Sequence, residues 1–303
     1  MSSLAHLRSA VVNHIPELKH LKEEIEKLRE ENIALKQLVN NDPHRGIVSN
    51  IIDEFLKIDL EDIRKIFSTD MGLYDAGTRN TSVREAWTSA SLRALPKGLR
   101  LLDAGAGECK FKNDCAHLNY VSQDIAIYDG SGEKGLQTGT WDTSQIDIVC
   151  DIISIPEPDA SFDAILCTEV LEHLPLPVVA LEEMTRLLKP GGTLILTAPF
   201  WSLTHFAPYH YATGFNRYFY EHHLGRLGYG IAEFKANGNF FESIAQEVRR
   251  TPEMADKFST EKPDMLERYA IQIVLSMMQR LSKNDTGSAE YLYFGSLVRA
   301  LKA

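Results

Sequence analysis

An apolar pair, an aspartate and two closely spaced glycines constrain the fold of this chain more than any other stretch. Residues 101–108 read Leu-Leu-Asp-Ala-Gly-Ala-Gly-Glu and predict a buried strand that ends in a tight turn, where bare backbone lets a ligand approach. Lys110 stands where a dinucleotide-binding fingerprint has its third glycine. Because pyrophosphate prefers backbone donors without facing carboxylates, this acidic turn favours a positively charged ligand.

Three further blocks extend the pattern. Residues 120–124 form an apolar run that ends at Asp124, at the spacing where a second strand offers a carboxylate to a ribose diol. Apolar strands then alternate with helical segments through 162–173 and 188–196, which predicts a parallel sheet with helices on both faces. Ligands bind such sheets at the carboxyl ends of the strands. Four carboxylates fall at or just past predicted strand ends: Asp103, Asp124, Asp151 and Glu169.

In order and spacing, the blocks between 101 and 199 resemble the class I S-adenosylmethionine-dependent methyltransferases, over about a third of the chain. The resemblance implies an α/β fold with a doubly wound, seven-stranded, mostly parallel Rossmann-like sheet, and S-adenosyl-L-methionine as cofactor. Arg79 or Arg84, in the segment before the first strand, is the candidate partner of the methionine carboxylate, and Trp141 is a candidate for stacking on adenine. The implied cofactor-binding residues are Arg79, Asp103, Ala104, Gly105, Gly107, Asp124, Ile125, Asp151, Ile152 and Glu169.

An aromatic and histidine-rich stretch follows the predicted fifth strand, at 198–223. Aromatic faces with scattered donors suit a sugar ring or a planar metabolite. A neutral histidine can take the proton of an acceptor hydroxyl, and the candidate catalytic bases are His205 and His210. The spacing of the histidines matches no zinc signature, so no metal is expected. The substrate-binding candidates are Trp201, Tyr209, Tyr211, Arg217, Tyr218 and His222.

These features predict an enzyme that methylates a hydroxyl of a sugar or sugar-containing metabolite. The stretch from about 198 to 250 is similar to bacterial methyltransferases associated with surface-polysaccharide assembly, which implies a small-molecule or glycan acceptor and a role in polysaccharide biosynthesis. Two alternatives stay open: N- or carboxyl methylation of another small molecule, and a catalytically inactive coiled-coil scaffold with a cofactor-binding domain. The intact glycine turn and Asp124 argue against lost cofactor binding.

The composition of the chain limits which binding partners and which cellular compartment are expected. The chain has 303 residues and a net charge of −10, so it lacks the basic balance of a nucleic-acid-binding protein. Its four cysteines form no Cys-x-x-Cys pair, which indicates reduced thiols. No apolar run has the length of a membrane span, and no signal-peptide core is present, so a cytoplasmic protein without a membrane span is expected.

A heptad pattern over 17–40 predicts a parallel two-stranded coiled coil and hence a homodimer. Isoleucine and valine share one seam position with Asn32, which would fix the register, while leucine fills the other. Packing of this helix on its own domain, or in an antiparallel or larger bundle, is the alternative. The seam residues are Leu18, Leu21, Ile25, Leu28, Asn32, Leu35 and Val39.

The predicted organisation has three parts. Residues 1–41 form the oligomerisation segment, 42–96 a helical linker that caps the cofactor, and 97–303 the methyltransferase domain. Within that domain, 199–223 is the substrate loop and 239–284 a helical lid insert. The expected elements include helices over 47–67, 82–95, 241–250 and 263–281, strands over 230–234 and 291–300, and a helix that closes over 224–230.

Deleting residues 1–40 should reduce the size of the oligomer, because the seam that would bury the heptad leucines is lost. Light scattering of the full and shortened chains measures this directly. An unchanged oligomer would exclude the coiled coil as the dimer contact.

Overall fold

The structure, a computed structural model, describes residues 23, 26, 27, 29, 30, 74–128, 135, 136 and 141–303. The first five are helical, and Arg29 Nη1 lies 3.0 Å from Glu26 Oε1. The heptad seam and the helix expected over 47–67 lie outside the described residues, so the coiled coil and the dimer stay predictions.

A seven-stranded mixed sheet forms the centre of the described part of the chain, in the order β3-β2-β1-β4-β5-β7-β6. Six strands point in the same direction, and β7 runs antiparallel to its two neighbours, β5 and β6. The predicted Rossmann-like α/β sheet is therefore confirmed. The strands are β1 (Arg100–Ala104), β2 (Asn119–Asp124), β3 (Ile148–Val149), β4 (Phe162–Thr168), β5 (Leu188–Pro199), β6 (Tyr229–Asn237) and β7 (Gly295–Lys302).

Alternating side chains along the central strands fill a core on each face of the sheet. In β1, Leu101 points to one face and Leu102 to the other, as the two-residue period of a strand requires. The first face is covered by Leu92, and the second by Leu181 and Met184, all fully buried. Burial on both faces explains why these strands read as continuous apolar runs in the sequence.

Five helices accompany the sheet in the described ranges, and three of them begin at side-chain caps. Asn216, Asn239 and Asp264 accept hydrogen bonds from backbone N–H groups in the first turns of α3, α4 and α5. Glu267 completes a capping box with Asp264. The helices are α1 (Asn80–Arg93), α2 (Pro177–Leu187), α3 (Arg217–Arg226), α4 (Phe240–Phe258) and α5 (Met265–Lys283), with short helical turns at Lys112–Cys115, Leu171–His173 and Ser288–Glu290.

Several predicted boundaries were wrong. The last strand begins at Gly295 instead of 291, because Tyr291 closes a helical turn by bonding to Ser288 O. Helix α3 ends at Arg226, and β6 starts at Tyr229, so the chain turns at Gly228 with φ +83°. Helix α4 continues past Pro252 to Phe258 although proline lacks the N–H for the helical ladder. Packing of α4 against α5 overrides that local signal.

The segment before α1 is tied to α4 through backbone groups. Gly77 N donates to the buried Glu242 carboxylate (2.8 Å), which also accepts from Ser282 Oγ of α5 (2.9 Å). Arg249 Nε donates to Ala76 O (2.6 Å), and its guanidinium also contacts Tyr74 O. The chain that leads into α1 therefore has a defined path over the helical pair.

Two properties of the described part of the chain bear on the expected compartment. None of its helices combines the length and the apolar composition needed to cross a bilayer. The four cysteines are free. The cytoplasmic location stays a prediction.

Gly77→Ala should destabilise the protein more than Gly98→Ala. Both glycines have left-handed backbone, at φ +79° and +85°, so either alanine loses about 1–2 kcal/mol of stability. At Gly77 the new Cβ would lie 2.3 Å from Gln246 N in α4, whereas nothing lies within 4 Å at Gly98. Urea unfolding followed by circular dichroism measures the two losses. Equal losses would contradict the close packing of this segment on α4.

Candidate active site

The order of the strands opens a crevice at the carboxyl end of β1. This strand pairs in parallel with β2 on one side and with β4 on the other. The chain first adds β2 and β3 on one side of β1 and then crosses to add β4 and β5 on the other side. Ligands of open α/β sheets bind at such a switch point. Asp103 and Asp124 lie at the ends of β1 and β2, Asp151 lies two residues after β3, and Glu169 directly follows β4. The four predicted carboxylates therefore share one edge of the sheet.

The turn after β1 is held against β2 by backbone hydrogen bonds. Gly105 N and Ala106 N both donate to Gln123 O at 2.9 Å. Gly107 N donates to Asp124 Oδ2 (3.0 Å), and Ala126 N donates to the other carboxylate oxygen (2.8 Å). Asp124 therefore fixes the glycine turn and the turn after β2 in one arrangement.

Glycine is required at position 107 because an aromatic ring lies against it. A Cβ at Gly107, which has φ +52°, would lie 2.3 Å from the Trp141 ring. Trp141 also meets the edges of Tyr128 and Phe206, at centroid distances of 5.9 and 5.2 Å. Tyr128 and Phe206 stack on each other at 3.5 Å. Trp141 thus joins an aromatic cluster over the glycine turn; stacking on adenine stays a prediction.

Asp103 is the buried carboxylate of the crevice, with 2 % of its surface exposed. Burial raises its pKa to about 7, and the nearby charge of Asp124 adds to the rise. Tyr120 opposes the rise by donating its hydroxyl proton to Asp103 Oδ2 at 2.6 Å. Near neutral pH this group therefore gains or loses its charge easily, and a cation beside it would favour the charged form.

The other implied cofactor residues occupy the same edge with differing exposure. Ala104 is buried at the end of β1, and Ile125, directly after β2, is 44 % exposed. Asp151 is exposed, and its carboxylate accepts from Ile153 N (3.1 Å), while Ile152 is buried in the core. Among these residues, the side chains of Ile125 and Asp151 are open to a ligand, whereas those of Ala104 and Ile152 belong to the core.

Arg84, and not Arg79, reaches the crevice. Arg84 Nη1 donates to Glu169 Oε2 at 2.8 Å, and Thr197 Oγ1 donates to the other carboxylate oxygen at 2.9 Å. Glu169 holds a left-handed backbone at φ +54°, which is uncommon for a residue with a side chain. Arg79 lies at the start of α1, is more than half exposed and pairs with Asp75 at 3.3 Å. Helix α1 therefore contributes to the site through Arg84.

Three histidines from two segments come together beside the end of β4. His173 lies in the short turn after β4, and His205 and His210 lie in the loop after β5. The His205 ring is 4.8 Å from each of the other two rings. Phe206 contacts His173 at 4.6 Å and Tyr128, which follows β2, at 3.5 Å. The histidine cluster therefore borders the crevice beside the cofactor edge.

The hydrogen bonds of His210 define its tautomer. Ser202 Oγ donates its proton to Thr213 O (2.9 Å), so it accepts from His210 Nε2 at 3.2 Å. The Nδ1 atom of His210 then holds a lone pair. Burial and the neighbouring His205 lower the pKa of His210, so the ring is neutral at pH 7 and its lone pair is available to a proton.

Glu172 is completely buried, and among the described residues neither of its carboxylate oxygens has a hydrogen-bond partner. Burial and the charge of Glu169 raise its pKa well above the usual value. Its Oε1 atom lies 3.7 Å from His173 Nε2 and 4.0 Å from His205 Nε2. The pKa of His173 falls to about 4, mainly through burial, so this ring is neutral.

The remaining substrate candidates divide between the cluster and a separate surface. Tyr209 accepts from His173 at its carbonyl oxygen, and Tyr211 N donates to Glu172 O (2.9 Å), so both lie in the loop that forms the cluster. Trp201 is half-buried at the start of that loop. Three candidates lie exposed on α3, where Arg217 pairs with Glu221 at 2.5 Å: Arg217, Tyr218 and His222.

The sequence analysis singled out neither Glu172 nor His173 as a site residue. The sequence did contain a signal for these two residues. Glu169, Glu172 and His173 follow the end of one strand within five residues, which brings two carboxyl groups and an imidazole close together. The structure adds Thr197 and Ser202, whose hydroxyls fix Glu169 and His210.

Comparison with known proteins agrees with this geometry. Residues 102–196 match the family model described as a methyltransferase domain. A ubiquinone biosynthesis O-methyltransferase of Xanthomonas axonopodis pv. citri is 34 % identical over 119 residues, which cover 38 % of this chain and 48 % of that protein. The homologous enzyme of Xylella fastidiosa is 32 % identical over 111 residues, covering 35 % and 44 %. The chain thus spans less than half the length of the curated relatives it matches.

Two solved structures show the same general similarity. Haemonchus contortus phosphoethanolamine N-methyltransferase 2, in complex with S-adenosylhomocysteine, gives a TM-score of 0.41 at 16 % identity and covers 73 % of this chain and 52 % of that one. A geranyl diphosphate methyltransferase gives 0.44 at 12 % identity, with 73 % and 79 % covered. These scores are low, and the chemistry below rests on the sequence match and the site instead.

Residues 102–196 therefore match a methyltransferase domain, and this match supports S-adenosyl-L-methionine as the cofactor. The residues of the crevice fit this molecule. The backbone of Gly105 and Gly107 forms the turn after β1, and the carboxyl groups of Asp103 and Asp124 lie at the same edge of the sheet, where they suit a cationic ligand that also bears a ribose diol.

The affinity for S-adenosylmethionine should increase as the pH rises through about 7. Asp103 is largely protonated below its raised pKa, and the cationic cofactor binds better to the charged form that predominates above it. Isothermal titration at pH values from about 6 to 8 measures this dependence, and Asp103→Asn provides the baseline. Identical pH profiles for the two proteins would show that another group is responsible.

Proposed function

We propose that this protein is an O-methyltransferase that moves the methyl group of S-adenosylmethionine to a hydroxyl of a small molecule. The neutral His210, with its Nδ1 lone pair in a histidine cluster beside the cofactor edge, is the observation that carries the proposal. A hydroxyl must lose its proton to become a good methyl acceptor, and a neutral imidazole can accept that proton. The curated relatives are named O-methyltransferases, which supports transfer to oxygen.

In the proposed reaction each part of the site has a separate task. Bound S-adenosylmethionine supplies an electrophilic methyl group, and the reaction is an in-line displacement in which positioning matters most. The glycine turn and Asp124 hold the nucleoside end, and Asp103 and Glu169 line the charged end. His210 Nδ1 takes the hydroxyl proton as the acceptor oxygen bonds to the methyl carbon, while its Nε2–H stays on Ser202.

The sugar acceptor and the link to polysaccharide assembly, both expected from the sequence, find no support in the comparisons. The curated relatives are named for ubiquinone biosynthesis, which is a statement about those proteins. We therefore limit the proposal to hydroxyl-bearing small molecules. The half-buried aromatic residues Trp201, Tyr209 and Phe206 are its acceptor-facing candidates.

A panel of acceptors with radiolabelled S-adenosylmethionine tests the proposed function. Catechol and protocatechuate present phenolic hydroxyls, a hexose and an N-acetylhexosamine present alcohols, and ethanolamine and benzoate present an amine and a carboxylate. Label transfer to a hydroxyl compound supports O-methylation. Transfer only to the amine or the carboxylate would replace it with the corresponding alternative, and cofactor binding without any transfer would favour the inactive scaffold.

With a hydroxyl acceptor from that panel, His210→Ala should lower kcat about 100-fold or more, because the reaction loses its base. The affinity for S-adenosylmethionine should stay within about twofold of the wild type. Added imidazole should restore part of the rate, which a purely structural defect would not allow.

His117→Gln is the matched control for this experiment. His117 precedes β2 and contacts Leu95 O at 3.0 Å, so it lies at the opposite edge of the sheet, where the strands begin. Its kcat should match the wild type. Full activity of His210→Ala would show that the base is another residue.

A further inference from the structure

Three electron-pair donors from two segments meet beside the end of β4. One ligand atom each from Glu172, His173 and His205 lies within 4.8 Å of the others. Glu172 lies in the turn after β4 and is fully buried, and no described residue bonds to its carboxylate oxygens. Burying such a group without a partner costs free energy, and a positive ion between these atoms would offset that cost.

The tautomers of both histidines place lone pairs toward this carboxylate. His173 Nδ1 lies 2.6 Å from Tyr209 O, and His205 Nδ1 lies 2.9 Å from Leu203 O. A carbonyl oxygen only accepts, so each Nδ1 bears the hydrogen and each Nε2 has a free lone pair. Metal-binding histidines typically donate their other N–H to such a carbonyl, which fixes the ring.

The separations at the centre are too long for hydrogen bonds and suit an ion. Glu172 Oε1 is 3.7 Å from one Nε2 atom and 4.0 Å from the other. Bonds from zinc to histidine nitrogen or carboxylate oxygen are about 2.0–2.2 Å long, so one ion between these atoms contacts all three after small side-chain movements.

We propose that Glu172, His173 and His205 bind one divalent first-row transition-metal ion. Two imidazole nitrogens and one carboxylate oxygen are ligands for zinc, iron, cobalt or manganese, whereas magnesium prefers oxygen alone. Three protein ligands leave positions open for an oxygen of another molecule. This assignment departs from the sequence expectation of no metal, which rested on the spacing of the histidines in the loop and left Glu172 out.

The position of the ion gives it a role in the proposed reaction, and this role rests on the proposed function. A metal-bound hydroxyl is more acidic, and the ion would hold the acceptor oxygen beside His210, whose ring is 4.8 Å from that of His205. His210 is not a ligand in this arrangement because its Nε2 is bonded to Ser202.

Cobalt titration of the full-length, untagged chain after chelator treatment and dialysis tests the proposal. We expect one Co²⁺ per chain by isothermal titration, together with visible d–d absorption that Zn²⁺ abolishes by competition. Glu172→Gln and His205→Ala should each weaken Co²⁺ binding at least 10-fold, and His117→Gln should bind as the wild type does. The absence of Co²⁺ binding, or unchanged binding by Glu172→Gln, would overturn the site.

Thermal unfolding separates loss of the metal from loss of the fold. Glu172→Gln preserves the volume and adds an N–H donor toward the histidine lone pairs, so the metal-free variant should melt no lower than the metal-free wild type. A lower melting temperature for this variant would assign Glu172 a structural role instead. Metal binding and thermal unfolding involve no methyl transfer. These measurements therefore test the metal site independently of the proposed function.

Discussion

The parallel pairing of β1 with both β2 and β4 is the constraint on which the rest of the site depends. It separates the connections on the two sides and opens the crevice at the strand ends. The same register brings the turn after β1 beside Gln123 and Asp124, whose backbone and side chain hold Gly105 and Gly107. The cofactor cradle is therefore placed by the hydrogen bonds of the sheet, and its shape follows from the buried core on both faces.

The sequence was sufficient to predict the sheet and the carboxylate edge because both follow from short-range patterns. Apolar runs ending at Asp103 and Asp124 specify strand ends, and parallel winding brings those ends together whatever the loops do. Helix and strand boundaries that depend on contacts between distant segments could not be predicted from local patterns. Tyr291 belongs to a turn instead of a strand, and α4 passes Pro252 because α5 packs beside it.

The contents of the site were predictable only in part. Arg79 and Arg84 are equivalent in a sequence pattern, and only the direction in which α1 leaves its start brings Arg84 to Glu169. The contact of Glu172 with His205 requires the path of the loop after β5, including the left-handed backbone of Phe206. No local pattern encodes that path, so the carboxylate and the imidazole remained separate features until the fold joined them.

Glu172 contributes both to the path of the loop after β5 and to the contents of the site. Its carbonyl oxygen accepts from Tyr211 N (2.9 Å) and Ala212 N (3.2 Å), so its backbone holds the loop after β5 in place. Any residue could provide that carbonyl, yet the side chain is a buried carboxyl group beside histidine lone pairs, with no hydrogen-bond partner among the described residues. An apolar residue would pack there at lower cost, which argues that the carboxylate serves the chemistry of the crevice. The loop that bears His210 is thus positioned by the same residue whose carboxyl group lies against the histidine cluster.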